Sequence, residues 1–134
     1  ELAKAGEYDN VAFHRVIDGF MAQTGDVEFG DMENGFNARR AGTGGSKLPD
    51  IPAEFSKTPF ERGTVGMARS QNPNSANSQF FIMFDQGPFL NGQYTVVGKV
   101  VSGMEAVDKI KRGEGGNGEV SDPDRMIKVT VGKN

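Results

Sequence analysis

Few residues in this sequence of 134 could carry out covalent or proton-transfer chemistry. There is no cysteine, which excludes disulfides, thiolate metal ligands and thiol nucleophiles. The one histidine, His14, is the only imidazole that could act as an acid or base, and a single imidazole excludes metal sites that need two. It stands directly before Arg15, whose guanidinium carries a permanent positive charge.

Two further patterns have the composition of ligand sites but lack the required spacing. The run GTGGS at residues 42–46 could be a phosphate loop, but no Lys-Ser/Thr follows and no strand–loop–helix context surrounds it. Asp31, Glu33, Asp50 and Glu54 could ligate calcium, yet they do not follow EF-hand spacing. We therefore predict a plain loop, no metal and no cofactor.

The composition is that of a single soluble domain with many turns. Hydrophobic residues make up 36% of the chain and charged residues 25%. Nineteen glycines and ten phenylalanines without tryptophan indicate frequent turns around an aromatic core, which suits an antiparallel sandwich or barrel. The net charge of −3, with no basic stripe, argues against a nucleic-acid partner, and no apolar run is long enough to span a membrane.

The pattern of apolar residues and turn residues predicts about six strands and one complete helix. Residues 11–17 and 20–24 are separated by Asp18-Gly19, a strong hairpin signal. Residues 25–52 are rich in glycine and predict a long surface loop of the kind that often carries function. Further strands are predicted at 63–68, 79–84, 94–101 and 126–131. The capping-box spacing of residues 102–105 predicts a helix that runs to about Arg112 and stops at Gly113.

The strand at residues 79–84 is apolar on both faces. Alternation places Phe80, Ile82 and Phe84 together, and we predict that this face fills the interior. The opposite face still carries Phe81 and Met83, so it must be covered or must be offered to a ligand.

Three blocks of sequence resemble one family. Residues 13–26 read FHRVIDGFMAQTGD, residues 66–69 and 77–82 read GMAR and NSQFFI, and residues 89–100 read FLNGQYTVVGKV. They resemble, in order, the cyclophilin signature FHRVIxGFMxQxGD, the family stretch that ends in SQFFI, and its segment WLDGxHxVFGxV. Because the blocks span nearly the whole chain, the sequence is identified as similar to bacterial cyclophilin-type peptidyl-prolyl cis–trans isomerases.

This resemblance implies a mainly β fold, an eight-stranded antiparallel barrel capped by two helices, with the active site on its outer face. We expect residues 1–134 to form one isomerase domain that is incomplete at its N-terminus, since the family begins with two strands and part of a helix before the position of Glu1. Bacterial cytoplasm and periplasm both remain open as locations.

The implied reaction is rotation about the peptide bond that precedes proline. That bond crosses a barrier of about 18–20 kcal/mol, and no covalent bond must break, so neither a nucleophile nor a general base is needed. By resemblance Arg15 is the catalytic residue, whose guanidinium would bond the pyramidal proline nitrogen in the twisted state. Since no proton moves, we interpret His14 as structural.

The resemblance also implies a set of substrate-binding residues. The proline pocket corresponds to Phe20, Met21, Phe81 and Leu90, with Tyr94 at its edge. Gln23 and Gln79 correspond to residues that bond the substrate backbone and line the site, and Ala68 and Arg69 to a segment whose backbone pairs with the bound peptide.

Some positions depart from the pattern of eukaryotic members. Arg69 stands for asparagine, Tyr94 for histidine, and Phe89 for a tryptophan associated with tight cyclosporin binding, so Phe89 is included among the substrate-binding residues and weak cyclosporin binding is implied. The expected partners are proline-containing segments of client proteins, bound by a monomer. The alternative is a non-catalytic proline-peptide module on the same fold; a small-molecule carrier would need an open lumen, which the apolar interior face argues against.

Overall fold

The chain folds into short antiparallel strands joined by long turns. A computed structural model describes residues 1–132. The seven strands are β1 (Val11–Ala12), β2 (Arg15–Ile17), β3 (Met21–Thr24), β4 (Thr64–Met67), β5 (Phe80–Met83), β6 (Val96–Lys99) and β7 (Arg125–Met126). A 3-10 helix covers Pro88–Leu90, and the helix α1 covers Met104–Val107. The mainly β class predicted from the sequence is confirmed.

The strands form two sheets. One has five antiparallel strands in the order β2-β3-β5-β4-β6, and the other pairs β1 with β7. Within residues 1–132 these sheets do not close on themselves, so the eight-stranded barrel implied by the resemblance is represented here by seven strands in two open sheets. The edge strand β6 is largely exposed on both faces.

The predicted hairpin is present as β2 and β3, joined through Asp18-Gly19. Gly19 has a φ of 75°, a conformation that glycine adopts without steric cost. The pairing aligns Arg15 with Gln23 and Ile17 with Met21. The predicted strand at 11–17 is divided in two, because its first part pairs with β7 in the small sheet and its second part pairs with β3 in the large one.

Strand β5 is buried more completely on the face that was predicted to lie outward than on the predicted interior face. Its alternation is as expected, but Phe81 and Met83 are buried while Phe80 and Ile82 are only half-buried. The first pair is covered by Phe60 and other apolar side chains, whereas the second is covered only in part, with Phe80 meeting the ring of Tyr8 edge-on at 5.5 Å. Phe84, on the same face as Phe80 and Ile82, is buried against Phe13 and Val16, so the predicted interior face is filled in part.

The apolar side chains collect in two clusters, one on each side of the large sheet. The first consists of Phe13, Val16, Ala22, Phe84 and Val120. The second consists of Met21, Phe60, Phe81, Met83 and Leu90. Strand β3 contributes Ala22 to the first cluster and Met21 to the second, and β5 contributes Phe81 and Met83 to the second while Phe84, directly after it, joins the first, so the large sheet lies between the two clusters.

The helix is shorter than predicted and lacks the predicted capping box. It ends at Val107 rather than near Arg112, and its N-cap is Gly103, with a φ of 86° and no side-chain cap. In a helix that ran to Arg112, Asp108 and Arg112 would be neighbours four residues apart and could pair, but Asp108 binds Arg62 at 2.7 Å instead. Arg112 instead lies over the Phe84 ring and binds Asp18 in the hairpin turn. With these contacts the chain leaves helical geometry well before Gly113.

The last strand is also shorter than predicted. Strand β7 covers Arg125–Met126 only, whereas the alternation predicted a strand at 126–131. Beyond Met126 the apolar side chains of Ile127 and Val131 are mostly exposed, because no neighbouring strand pairs with them. None of the helices formed by residues 1–132 has the length and apolarity that crossing a bilayer requires.

Candidate functional site

A groove of about 820 Å³ lies on the outer surface of the large sheet. Ten of the eleven site residues predicted from the sequence line it, namely Arg15, Phe20, Met21, Gln23, Ala68, Arg69, Phe81, Phe89, Leu90 and Tyr94. The eleventh, Gln79, lines an adjoining hollow of about 300 Å³. Since Gln23, Ala68 and Arg69 line both, the groove and the hollow form one continuous surface.

The floor of the groove is aromatic and aliphatic. Phe81 is only 5% exposed and stacks on Phe60, with ring centroids 5.7 Å apart. The ring of Tyr94 meets Phe81 edge-on at 5.9 Å. At the rim, Phe20 packs on Phe89, which is 68% exposed. The floor of the groove is thus a shallow apolar surface of the size and character that a proline ring requires.

Sheet register and one glycine bring this floor together. Phe81 lies opposite Gln23 on β3 and opposite Gly66 on β4. A Cβ on Gly66 would lie 2.6 Å from the Phe60 ring and 2.7 Å from the Phe81 ring, so only glycine lets the two rings stack there. The 3-10 helix begins at Pro88, a residue well suited to a first helical position, and places Leu90 in the floor.

Arg15 stands over one end of this floor, held by neutral partners. Its Nε donates to the carbonyl of Asn117 at 2.8 Å and its Nη2 to Asn117 Oδ1 at 3.3 Å. Its Nη1 donates to Gln23 Oε1 at 3.2 Å. Because a guanidinium has five N–H groups, this arrangement fixes its plane while two donors remain for a ligand.

The hydrogen-bond chain continues across the groove. Gln23 Nε2 donates to Gln79 Oε1 at 2.9 Å, and Gln79 Nε2 donates to the carbonyls of Gly42 and Gly44 at 2.9 and 3.0 Å. The chain orients both glutamine amides and ties Arg15 to the long loop at residues 25–52. Gln23 and Gln79 are therefore positioned by each other as well as by their strands.

Asn117 is a site residue that our sequence analysis did not identify. It lies in a glycine-rich turn whose Gly118 has a φ of 85° and accepts a hydrogen bond from Val16 N at 2.8 Å. A Cβ on Gly118 would lie 2.6 Å from Ile17 Cγ1, so the turn packs directly against β2. The run GEGGNG at 113–118 was the available signal, but nothing local connects it with Arg15, 102 residues earlier.

The long loop is organised around one buried carboxylate. Asp26 is 0% exposed; its Oδ1 accepts hydrogen bonds from the amides of Glu28 and Phe29 at 3.0 and 2.9 Å. Its Oδ2 accepts from the amides of Gly42 and Gly44 at 2.7 and 2.9 Å. These glycine amides are directed at Asp26 rather than outward, which agrees with the prediction of a plain loop instead of a phosphate loop.

His14 lies beneath this loop. It is 7% exposed, and neither ring nitrogen has a hydrogen-bond partner among the described residues. A Cβ on Gly42 would lie 3.1 Å from His14 Nε2, which shows how closely the loop packs on the ring. Burial lowers the pKa of His14, and the charge of Asp26 opposes this only in part. The neutral ring acts as packing between Arg15 and the loop.

Ala68 and Arg69 form the opposite edge of the groove. The amide of Ala68 already donates to Gln79 O at 3.0 Å, which leaves its carbonyl for a ligand. The Arg69 side chain, to which the sequence assigned no role, donates to Gln93 O through Nη2 at 2.6 Å and lies 4.5 Å from the centre of the Tyr94 ring. Within residues 1–132 no cluster of acidic, histidine or cysteine side chains has the makings of a metal site.

The comparison with protein families agrees with this geometry. The family model described as cyclophilin type peptidyl-prolyl cis-trans isomerase/CLD matches residues 1–131. The chain therefore belongs to the cyclophilin-type peptidyl-prolyl cis–trans isomerases, as the three sequence blocks predicted.

Individual relatives support the assignment. A probable peptidyl-prolyl cis-trans isomerase of Brucella abortus is 75% identical over 132 residues, which cover 98% of this chain and 67% of that protein. This agrees with the predicted bacterial type. A Cryptosporidium parvum cyclophilin type peptidyl-prolyl cis-trans isomerase, crystallised in the presence of the dipeptide Ala-Pro, has a TM-score of 0.78 and 27% identity, covering 99% of this chain and 81% of that one. A cyclophilin from Hirschia baltica shares the fold, with a TM-score of 0.75, 24% identity and coverage of 95% and 61%.

Proposed function

We propose that this chain catalyses rotation about Xaa-Pro peptide bonds of client polypeptides, with Arg15 as its catalytic residue. The observation that carries the proposal is that one groove holds both a cation with free donors and an apolar floor. Arg15 provides the cation, and Phe81, Met21 and Leu90 provide the buried part of the floor. The family to which the chain belongs supports the same reaction.

The geometry accounts for a catalyst without a nucleophile. Rotation requires loss of amide resonance, after which the proline nitrogen becomes pyramidal and its lone pair can accept a hydrogen bond. A guanidinium that bonds this lone pair stabilises the twisted state and not the planar one. Lowering the barrier by about 7 kcal/mol would accelerate rotation roughly 10⁵-fold. Because Asn117 and Gln23 hold Arg15 in advance, little reorganisation accompanies the reaction.

The remaining groove residues would hold the peptide. Phe20, Phe89 and Tyr94 would enclose the proline ring, while the carbonyl of Ala68 and the backbone of Arg69 would pair with the peptide backbone. The side-chain amides of Gln23 and Gln79 would face the peptide from the side of the groove opposite Ala68. The relative crystallised in the presence of Ala-Pro supports a proline-containing ligand.

The proposal also covers the domain, the oligomeric state and the affinity for cyclosporin. A single isomerase domain over residues 1–134 would act as a monomer on proline-containing segments of client proteins. Phe89 is largely exposed, and its ring lacks the indole N–H of tryptophan, so we expect weak cyclosporin binding. No comparison favours the non-catalytic alternative.

The test uses the full chain and two arginine variants. We expect Arg15→Ala to lower kcat/KM on succinyl-Ala-Ala-Pro-Phe p-nitroanilide about 10²- to 10³-fold, the usual cost of removing one preorganised charge donor. Peptide affinity, measured by NMR titration, should stay within about threefold, because the apolar floor is retained. The control is Arg40→Ala, which removes an exposed arginine that lies on Phe29 and does not line the groove.

Two results would defeat the proposal. One is a native chain that binds the peptide without any rate gain over buffer, which would favour a binding module. The other is an Arg15→Ala variant that folds normally and keeps the full rate, which would remove Arg15 from the reaction.

A further inference from the structure

The charge of the groove differs from the charge of the whole chain. The chain has a net charge of −3, yet the charged residues that line the groove are Arg15, Arg39, Arg69 and Glu119. Burial lowers the pKa of His14, the other titratable residue of the lining, so it remains neutral near pH 7. An acidic protein therefore has a locally positive groove.

The arginine charges in the groove are not neutralised. None of the three arginines belongs to the ion pairs found within residues 1–132, which involve Arg62, Arg112 and Arg125. Glu119 accepts a hydrogen bond from the amide of Asn117, and an isolated backbone bridge to Arg15 places it at the Arg15 end of the groove. The side of the groove away from Arg15 is thus left with uncompensated positive charge.

Arg69 is the better fixed of these two remaining cations. Its Nε and Nη2 donate to Gln93 O at 3.2 and 2.6 Å, and its Nη1 donates to Ser70 O at 2.9 Å. All of these acceptors are neutral backbone carbonyls, and the guanidinium also lies over the Tyr94 ring. Because Arg69 lines both the groove and the adjoining hollow, a peptide that spans the two must pass its charge.

Arg39 adds a second charge from the opposite wall. It belongs to the long loop and is exposed, with its backbone amide bonded to Asn37 Oδ1 at 3.1 Å. Its neighbour Arg40 is equally exposed but stacks on Phe29 and does not line the groove. The chain therefore offers two adjacent arginines of which only one contributes to the groove.

We infer that the groove prefers proline peptides with an acidic residue beside the proline, and that Arg69 and Arg39 set this preference. The inference rests on the proposed isomerase function and adds the substrate class. Charges at the rim of a binding surface act mainly through long-range attraction, which is modest for each charge and is screened by salt. The preference should therefore be a graded difference in kcat/KM and not an absolute requirement.

The experiment compares three peptides that differ only at the residue before proline, carrying Glu, Gln or Lys. For the native chain we expect kcat/KM to fall in the order Glu, Gln, Lys, with about a fivefold ratio between Glu and Lys, as two exposed charge interactions would produce. Raising sodium chloride from about 20 mM to about 500 mM should bring the ratio close to one, because the Debye length falls well below the width of the groove.

The variants identify the residues responsible. Arg69→Gln and Arg39→Gln should each reduce the ratio, and the double variant should abolish it. Arg69→Lys should retain it, because the charge is kept even where the stacking and carbonyl bonds change. The matched control Arg40→Gln should keep the native ratio at both salt concentrations.

Several outcomes would overturn the inference. These are equal kcat/KM for the three peptides at low salt, an Arg40→Gln variant that loses as much of the ratio as Arg39→Gln, or a ratio that salt leaves unchanged. All three require measurable isomerisation. If no peptide is isomerised above the rate in buffer, the proposed function fails instead, so the two failures are distinguishable.

Discussion

The two walls of the groove are held in place in different ways. The sheet wall, formed by β2, β3 and β5, positions Arg15, Gln23 and Phe81 by backbone pairing along successive strands. The loop wall, residues 25–52, has no regular strand or helix, and it is tied to the rest of the chain by two isolated bridges and by hydrogen bonds from the side chains of Asn77 and Gln79. Its shape depends on hydrogen bonds to one buried side chain, Asp26.

This difference indicates which substitutions should damage the site most. A strand that loses one side chain keeps its backbone ladder, so its neighbours stay in register. In the loop wall the loss of one side chain, Asp26, would deprive four amides of their acceptor together. Substitutions should therefore be most damaging at the centre of the loop wall and more local in the sheet wall.

The largest expected effect is that of Asp26→Ala. Removing the buried carboxylate leaves four part-buried amides without their acceptor, which should lower the free energy of unfolding by about 3 kcal/mol. Urea denaturation monitored by circular dichroism measures this loss. The matched control is Asp31→Ala in the same loop, whose carboxylate bonds two exposed amides and should cost about 1 kcal/mol or less. Equal losses for the two variants would contradict the central role of Asp26.

A smaller effect is expected from Gly66→Ala in the sheet wall. The new Cβ would lie 2.6 Å from the Phe60 ring, so the stacked pair of Phe60 and Phe81 must move, at a cost of about 1–3 kcal/mol. The melting temperature and the KM for a proline peptide should both report it, since the floor of the groove changes. The control is Gly98→Ala on β6, where a Cβ would meet nothing within 4 Å. A Gly66→Ala variant as stable as this control would show that the Phe60 and Phe81 rings can move without a loss of stability.

Asn117→Ala tests the end of the groove where Arg15 lies. The variant removes the bond from Arg15 Nη2 to Oδ1 but keeps the bond to the carbonyl, so it should lower kcat about three- to tenfold. The KM should stay near its native value, because Asn117 positions the cation and not the peptide. Asn72→Ala, in an exposed turn away from the groove, serves as the control. A change confined to KM would contradict this positioning role.

The smallest effect concerns His14 and pH. Because burial lowers its folded-state pKa, the unfolded chain takes up the proton first as the pH falls. The stabilisation from the neutral ring is therefore complete above the unfolded pKa of about 6.5 and declines below it, by at most about 1.4 kcal/mol per pH unit.

The measurement is the free energy of unfolding between about pH 7.5 and about pH 5.5, for the native chain and for His14→Gln. We expect a downward slope in the native chain that is absent from the variant. Parallel curves would mean that the buried ring does not couple folding to protonation in this range.

The sequence predicted some elements well because their signals are local. Asp18-Gly19 is sufficient to specify the hairpin, and the hairpin in turn aligns Arg15 with Gln23. The same local signals overestimated the later elements. The apolar residues Val101 and Ile127 extend the alternating pattern but remain exposed outside any strand, because pairing needs a neighbouring strand and not only a suitable sequence.

The burial of β5 could not be predicted for a related reason. Alternation shows that Phe80 and Phe81 lie on opposite faces, but it cannot show which face another segment covers. Phe60, 21 positions earlier, decides this by stacking on Phe81. The helix end near Val107 likewise depends on Arg62, which takes Asp108 away from its expected partner.

The sequence by itself determined the family, the hairpin, and ten of the residues that line the groove, since short motifs and strand alternation depend on near neighbours in the chain. Only the tertiary structure decided that Asn117 holds Arg15, that Asp26 shapes the loop wall, and that Arg39 and Arg69 leave the groove positive. These features join residues that lie far apart in the chain. The folded chain alone sets their distances, so no local pattern encodes them.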